Sequence, residues 1–451
     1  MNDSIVAIST APGGAIGIVR ISGDDALNSA LTIWENPSLS GKTPAPRKMY
    51  LGSIFSEKHK IEDRALLVYM PGPNSYTGED IVELHCHGGI LSLKNILELL
   101  IKNGLRHAEP GEFTKRAFIN GKMDLTQSEA VLDIINAHSS MALHTANKQL
   151  RGHFGEQVNE IYEKMQEILA EIEVGMDFAE EELMYDDNAI IVSNISSIIK
   201  QVKKWRQTKD EGEILRNGIK IVIVGPPNAG KSSLMNRFLG RERSIVTDIP
   251  GTTRDILEEF AHIRGIPLRI FDTAGIRKSD EKIEKAGIGL SLDSIKTANI
   301  ILWVIDSHQN YKQQALDENS ITSFSKTIII CNKTDLTNGI IPKDLPEKIK
   351  HVSTSAKTGE NFEKLLDAIE QMVWDHPHTE EPDIAINSRH AALLEKSRKE
   401  LEASIEQINL SLMETAAIHL HAALDYIGNI IGKTKDPDIL DNIFSKFCIG
   451  K

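Results

Sequence analysis

The sequence predicts a multidomain chain of class α/β + α: an N-terminal α+β domain, then a helical domain interrupted by an inserted α/β domain. Three observations predict it. A phosphate-loop pattern, Gly225-Pro-Pro-Asn-Ala-Gly-Lys-Ser232, sits between a β-branched run and a helical one. Residues 216–375 alternate strands and helices, as a parallel-sheet nucleotide domain does. Helical periodicity stands on both sides of them. Insertion is the simplest account, because domain termini commonly lie close together; two separate helical segments are the rival account. The expected domains are 1–120, the helical parts 121–215 and 376–451, and the insert 216–375.

Apolar residues make up 41% and charged residues 25%, ordinary for soluble globular protein. The net charge of −13 excludes a global basic field, so any RNA contact needs a local patch or a partner's surface. Cys86, Cys331 and Cys448 are far apart and form no C-x-x-C, which fits a reduced cytoplasmic setting. No signal peptide or apolar run of membrane-spanning length is read, so no membrane contact is expected.

In order, Ile5–Ile8 and Ile16–Val19 read as short strands around the turn Pro12-Gly13-Gly14. Ala65–Tyr69 and Asp80–His85 are further strands, and Gly88-Gly89 opens a helix to about Lys102. Pro110-Gly111 marks a turn before a short helix. Leu150, Phe154, Val158, Ile161, Met165, Ile168 and Ile172 recur at spacings of 4, 4, 3, 4, 3 and 4, a long helical stripe. Ile191, Ile195, Ile198, Val202 and Trp205 form a second, after an acidic break at Glu180–Glu182 and Asp186-Asp187. In the insert, strands are expected at Ile219–Val224, Leu268–Phe271, Ile300–Ile305 and Thr327–Cys331, with a last helix at Asn361–Trp374. His376–Pro382 reads as a linker; Leu394, Leu401, Ile405, Ile408 and Leu412 give one further stripe and Ile418–Ile431 another.

The chemistry follows from residue types. Gly225 and Gly230 allow backbone angles that turn several N–H groups toward one anion. The loop residues Asn228, Ala229, Gly230, Lys231, Ser232 and Ser233 are the expected phosphate contacts. Lys231 reaches the outer phosphates and the Ser232 hydroxyl can ligate magnesium. Asp272-Thr273-Ala274-Gly275 follows a strand; Asp272 can hold magnesium through water and the Gly275 N–H can sense a third phosphate. Gly251-Thr252-Thr253-Arg254-Asp255 lies where a switch segment belongs, with Thr253 as the second magnesium hydroxyl. Asn332-Lys333-Thr334-Asp335 follows another strand. The Asp335 carboxylate can accept from guanine N–H and NH₂, a pair adenine does not offer, so the motifs read as GTP rather than ATP. Ser355-Ala356-Lys357 can present a backbone N–H to the guanine oxygen. Ras-type GTPases place glutamine where this chain has Ile276, so other groups have to serve. Arg254, Arg277, Asp280, Glu281 and Glu284 are candidates.

With these motifs in place, the sequence resembles the MnmE (also TrmE) family of tRNA-modification GTPases. The marks are the phosphate loop, G-T-T-R-D, D-T-A-G-I-R, P-G-G-A-I-G-I-V-R-I-S-G, P-N-S-Y-T-G-E-D, P-G-E-F-T-K-R-A-F and the terminus Phe447-Cys-Ile-Gly-Lys451. The resemblance implies a homodimer whose Ras-like P-loop GTPase domains meet when GTP and potassium are bound. Potassium would stand where an arginine finger would, held by Asn228, Thr247, Ile249 and Thr252; Asp248 and Pro250 complete that nucleotide-contacting loop. Glu284 matches the family's water-orienting acid. The first domain resembles a tetrahydrofolate-binding and dimerisation fold, with Arg20, Glu83, Lys122 and Lys451 as ligand residues. Glu83 suits a pterin edge, which offers the same donor pair as guanine. The implied cofactors are GTP, Mg²⁺, K⁺ and a tetrahydrofolate derivative, 5,10-methylene or 5-formyl; FAD is carried by the partner, MnmG (GidA). Together they would form 5-carboxymethylaminomethyl or aminomethyl uridine at the tRNA wobble position.

Three readings carry alternatives. His85-Cys86-His87 invites a metal, but no further ligand cluster has zinc spacing, which favours structure. Cys448 is a candidate nucleophile whose thiolate Lys451 would favour, or a small apolar residue in a docking tail. A regulatory ribosome-assembly GTPase shares G-T-T-R-D and D-T-A-G but lacks the first domain and the tail.

Overall fold

This computed structural model describes residues 3–39, 41–56, 60–177, 185–241, 258–272, 295–314, 324–337, 339–373, 384–434 and 436–451. It divides into two compact units: Met1–Leu132 with Gln149–Val202 and Ala392–Lys451, and Asp133–Lys148 with Lys203–Ala391. Both stretches of the second unit are flanked in sequence by the first, which is insertion.

In the first unit the described strands are β1 (Ile5–Ile8), β2 (Ile16–Ser22), β3 (Trp34–Glu35), β4 (Met49–Phe55), β5 (Ile61–Met70), β6 (Ile81–His87) and β7 (Arg106–His107). They form one sheet in the order β3-β4-β5-β6-β2-β1-β7. Helices α1 (Ala26–Leu31) and α2 (Ile90–Lys102) supply the apolar cover. Val19, Ile21, Val82, Leu84, Leu93 and Ile96 share its core. Because strand side chains alternate, Arg20, Glu83 and His85 face the other way. Register sets Arg20 opposite Glu83 and Glu83 opposite Val68.

Strand β4 was not expected, since Gly52 and the exposed Met49 and Leu51 break an alternating pattern. Packing explains the glycine. A Cβ at Gly52 would lie 2.3 Å from a ring carbon of Trp34 and 2.4 Å from the Glu35 carbonyl. The buried Trp34 indole in turn donates to the Ala65 carbonyl at 3.0 Å.

Further helices are α3 (Glu112–Ile119), α4 (Leu125–Ile135), α5 (Ser140–Leu150), α6 (His153–Asp177) and α7 (Tyr185–Gln207). The α6 stripe is buried from Phe154 to Ile172, and α6 packs on the helix Met413–Ile431. The second stripe is buried along α7. That helix begins at Tyr185, so Asp186 and Asp187 are helical rather than a break, while Glu180–Glu182 lie outside the described residues. Leu394 and Leu401 are buried in the helix Ser388–Asn409, but Leu412 is 50% exposed: that helix has ended, and Leu412 caps the next.

In the second unit the described strands are β8 (Ile219–Val224), β9 (Glu258–Ile263), β10 (Ile266–Asp272), β11 (Ile300–Asp306), β12 (Thr327–Asn332) and β13 (Lys350–Ser353). Their order is β13-β12-β11-β8-β10-β9, parallel except for β9 at one edge. This is the Ras-like arrangement. Chain order reverses at β8, so a crevice opens beyond its carboxyl end. Strands β9 and β13 were not expected: polar edge strands such as Glu258–Ile263 lack a continuous apolar run. Helices α8 (Lys209–Asn217), α9 (Lys231–Arg241) and Phe362–Val373 are among its described helices. The linker His376–Pro382 lies outside the described residues. No described helix is long and apolar enough to cross a membrane.

Replacing Gly52 with alanine puts a methyl into the Trp34 ring and the Glu35 backbone. The expected loss is about 1–3 kcal/mol of stability, read in urea unfolding followed by tryptophan fluorescence.

Candidate functional site

The glycine loop leaves β8 and enters α9, at the sheet's switch point. Gly225 has φ 147, and a Cβ there would lie 2.1 Å from the Val304 carbonyl of β11. Gly230 has φ 98, and its Cβ would meet Asn332 Nδ2 at 2.1 Å. Glycine is therefore required at both positions by space as well as by angle. Asn228 holds φ 62, a left-handed value that asparagine tolerates better than most residues. Lys231 Nζ donates to the carbonyls of Gly225 at 2.9 Å and Pro226 at 2.8 Å, which lays the ammonium across the loop. Ser232 and Ser233 are exposed at the start of α9.

Asn332, 2% exposed, joins this loop to the two downstream motifs. Its Nδ2 donates to the Ala229 carbonyl at 2.8 Å, and its Oδ1 accepts from the Ala356 N–H at 2.9 Å. Arg237, in the second turn of α9, donates to the Ala356 and Lys357 carbonyls, each at 2.7 Å. Nothing local in the sequence marks Arg237 for this, since its partners lie 119 and 120 residues away. Ser355 is fully buried, and its hydroxyl accepts from the Thr358 N–H at 3.2 Å. Lys333, at φ 64, donates to Asp306 Oδ2 at 2.7 Å. Burial opposes ionisation of Asp306, but the Lys333 ammonium and the His308 N–H hold its carboxyl below the usual range. Asp335 is half-buried and forms no hydrogen bond or ion pair among the described residues.

Thr247, Asp248, Ile249, Pro250, Gly251, Thr252, Thr253, Arg254, Thr273, Ala274, Gly275, Ile276, Arg277, Asp280, Glu281 and Glu284 lie outside the described residues. Asp272 closes β10, and its side chain is likewise outside them.

A second cluster sits on the open face of the first sheet. Arg20 Nε donates to Glu83 Oε1 at 2.8 Å, and His85 Nε2 lies 3.0 Å from Glu83 Oε2. The His85 hydrogen bond leads in holding the Glu83 carboxyl below its usual range; burial opposes it and the Arg20 guanidinium assists. The Arg20 guanidinium lies between aromatic rings, 6.0 Å from Tyr76 and 5.7 Å from Phe113. Lys122 Nζ donates to the Pro73 carbonyl at 3.0 Å, at the start of the loop that carries Tyr76. The Phe113 N–H donates to the Lys451 carbonyl at 3.1 Å, and Pro110 bridges to Ile449. The tail is thus docked on the start of α3, with Cys448 exposed. Arg20 and Glu83 meet directly; the Tyr76 loop and Phe113 connect them to Lys122 and Lys451. Tyr76 and Phe113 were missed, for an isolated aromatic in a loop or at a helix start carries no local signal that folding will bring it to the Arg20 guanidinium.

His85 and His87 share a strand face, with Cys86 buried behind them. Each histidine has a carboxylate partner, Glu83 and Asp63 respectively. Among the described residues no group of three potential metal ligands occurs.

Comparison with known proteins agrees with this layout. The family description "GTP-binding protein TrmE N-terminus" matches residues 4–122, and "MnmE helical domain" matches residues 125–448. A "tRNA modification GTPase MnmE" of Clostridioides difficile is 42% identical over 100% of both chains. A protein of the same description from Natranaerobius thermophilus is 40% identical over 100% of this chain and 99% of that one. Among solved structures, Aquifex aeolicus Era bound to GDP and AlF4 matches at 25% identity and a TM-score of 0.28, over 40% of this chain and 66% of that one. A score that low decides nothing about the fold.

Two outcomes are expected. Asn332→Ala leaves the Ala229 carbonyl and the Ala356 N–H without their buried partner, costing about 2–4 kcal/mol in urea unfolding and weakening guanine-nucleotide binding by titration. For Glu83 the folded pKa is the lower one. Its stabilisation is therefore complete above the ordinary value of 4.5 and is lost as pH falls through the depressed one. Unfolding curves of wild type and Glu83→Gln are expected to differ at neutral pH and converge in acid.

Proposed function

This chain belongs to the MnmE family of tRNA modification GTPases, and from that premise we propose a potassium-dependent GTPase that acts as a homodimer in the cytosol. Its substrate is the wobble uridine of tRNA, modified at C5 to the 5-carboxymethylaminomethyl or aminomethyl form. The flavoprotein MnmG contributes FAD, and a 5,10-methylene or 5-formyl tetrahydrofolate contributes the carbon. The observation that carries the GTPase reading is the Asn332 tie, which holds the phosphate loop and both guanine motifs in one piece.

The residues divide the work. Asp335 and the Ser355–Lys357 loop would select guanine. Lys231 would exchange the Gly225 and Pro226 carbonyls for outer phosphate oxygens. Ser232, exposed beside the loop, fits a magnesium hydroxyl, with Thr253 and Asp272 completing the set. Asn228, exposed in the loop at φ 62, would be a side-chain ligand for potassium beside Thr247, Ile249 and Thr252. Bound potassium would supply positive charge to the developing phosphate charge. Glu284 would orient water, a role Ile276 has no group to perform. Hydrolysis would thereby pair the nucleotide domains and drive a conformational change.

On the sheet face, each Glu83 oxygen accepts one bond and keeps a lone pair, which suits the adjacent N–H and NH₂ of a pterin. Arg20, Lys122 and Lys451 would meet the ligand's polar or anionic groups. Cys448 is exposed and could serve as a nucleophile only at the tail.

GTP turnover is expected to be at least about tenfold faster in potassium than in sodium. Glu284→Ala is expected to lower it by about 10²–10³-fold with nucleotide affinity nearly unchanged, and to abolish tRNA modification. Equal rates in the two salts, or modification without turnover, would overturn the reading.

A further inference from the structure

We propose that Arg264 is a positioning residue for GTP hydrolysis. It pins the turn of the β9–β10 hairpin to the helix Phe362–Val373 and so sets where the two open ends of that hairpin lie. The inference rests on the GTPase reading above and adds a residue which that reading does not use. In sequence, the hairpin joins Gly251–Asp255 to Asp272–Gly275, the segments that would supply Thr253 and Asp272 to magnesium. Pairing sets Ile263 opposite Ile266, so Arg264 and Gly265 alone make the turn. Both have positive φ, 50 and 87. Asn-Gly or Gly-Gly normally makes such a turn, because a bulky residue is disfavoured at its first position. Arginine there opposes the local preference, and an outlier of this kind persists where other contacts over-determine it.

Those contacts are three carboxylates. Arg264 Nη1 donates to Glu370 Oε2, and Nη2 donates to Asp367 Oδ1 at 2.6 Å, with Glu363 Oε2 3.5 Å away. Glu363, Asp367 and Glu370, at spacings of 4 and 3, form one stripe on the helix, where like charges repel unless a cation stands among them. Phe362, Leu365 and Ile369 of this helix share a core with Ile263, Ile266 and Leu268 of the hairpin. Apolar burial is non-directional and decides which side of the hairpin faces inward. A guanidinium forked between two carboxylates also fixes how far along the helix the turn sits. Exposed ion pairs add little stability, and Arg264 is 42% exposed; what the fork supplies is position. The helix follows the Ser355–Lys357 loop, which Asn332 ties to the phosphate loop. Arg264 thereby references the hairpin to the frame that holds the nucleotide. Misplacing reacting groups by about 1 Å costs up to about 10²-fold in rate, so a contact at the turn can govern turnover without touching the substrate.

The test uses the full-length chain and measures steady-state GTP turnover, affinity for a fluorescent GDP, and thermal melting. Arg264→Asn removes the guanidinium but suits the turn, so the melting temperature is expected to hold or rise. Its kcat is expected to fall about tenfold while GDP affinity stays within about twofold of wild type. Asp367→Asn/Glu370→Gln is expected to lower kcat equally, and adding Arg264→Asn to that pair is expected to lower it no further. A control at the same helix, Lys350→Gln, loses the 2.7 Å bond from Lys350 Nζ to Gln371 and is expected to leave turnover unchanged. A kcat for Arg264→Asn within about twofold of wild type, or losses that add when the variants are combined, overturns the proposal. So does a fall in kcat matched by a fall in GDP affinity or in melting temperature, which would make the contact structural only. Equal wild-type rates in potassium and sodium overturn the potassium reading and leave this comparison, made in one salt, decisive for Arg264. A wild-type chain that turns over no GTP overturns both.

Discussion

One buried amide holds the nucleotide-binding unit together. Asn332 has a donor and an acceptor on a single planar group, and each is spent on a different loop. The phosphate loop and the Ser355–Lys357 loop therefore cannot shift independently without breaking a buried hydrogen bond. Gly230 is drawn into the same constraint, because any side chain there would displace the Asn332 amide. Arg237 repeats the tie from the other side, fixing two carbonyls of the Ser355–Lys357 loop to α9. The two loops are thus tied to each other through Asn332 before any ligand arrives. Preorganisation of that kind reduces the ordering cost of a ligand.

The first unit reaches a similar end with charges. Arg116, 1% exposed, bonds Asp3, Glu79 and Glu112. Glu79 also accepts from the Ser22 hydroxyl at the end of β2, and Glu112 accepts from Arg106. This buried network pins the loop bearing Tyr76 and the start of α3 to the sheet. A guanidinium so enclosed is costly unless it is paired; three carboxylates answer its two terminal nitrogens, while Nε has no hydrogen-bond partner among the described residues. The open sheet face above, with Arg20 and Glu83, inherits its geometry from that layer.

The sequence reported some of this well and some not at all. Gly225, Gly230 and Lys231 were legible because a phosphate loop is a local object, eight residues whose spacing is its geometry. The buried stripe of α6 was legible for the same reason: its period is written within one element. Arg20, Glu83, Lys122 and Lys451 became candidates only through family resemblance, since no period or spacing connects residues from two strands, a loop and the tail. Strand β4 and the edge strands β9 and β13 escaped because half-exposed strands carry mixed patterns. Leu412 misled because a stripe drawn at helical spacing continues on paper after the helix has stopped. Arg237 and Asn332 show the deeper limit: the partners that give them meaning are supplied by folding, not by neighbours in the chain.

The docked tail has a consequence for biosynthesis. Pro110 bridges to Ile449 and the Phe113 amide bonds Lys451, so a loop translated before the nucleotide-binding unit is completed by residues translated after it. Between those two events the entire nucleotide-binding unit is translated and is free to fold. Closure of the front domain is thereby deferred, a long-range pairing with the slow kinetics such contacts impose. Loss of the residues from Phe447 onward would injure the loop at Pro110 and the start of α3 as surely as the tail itself.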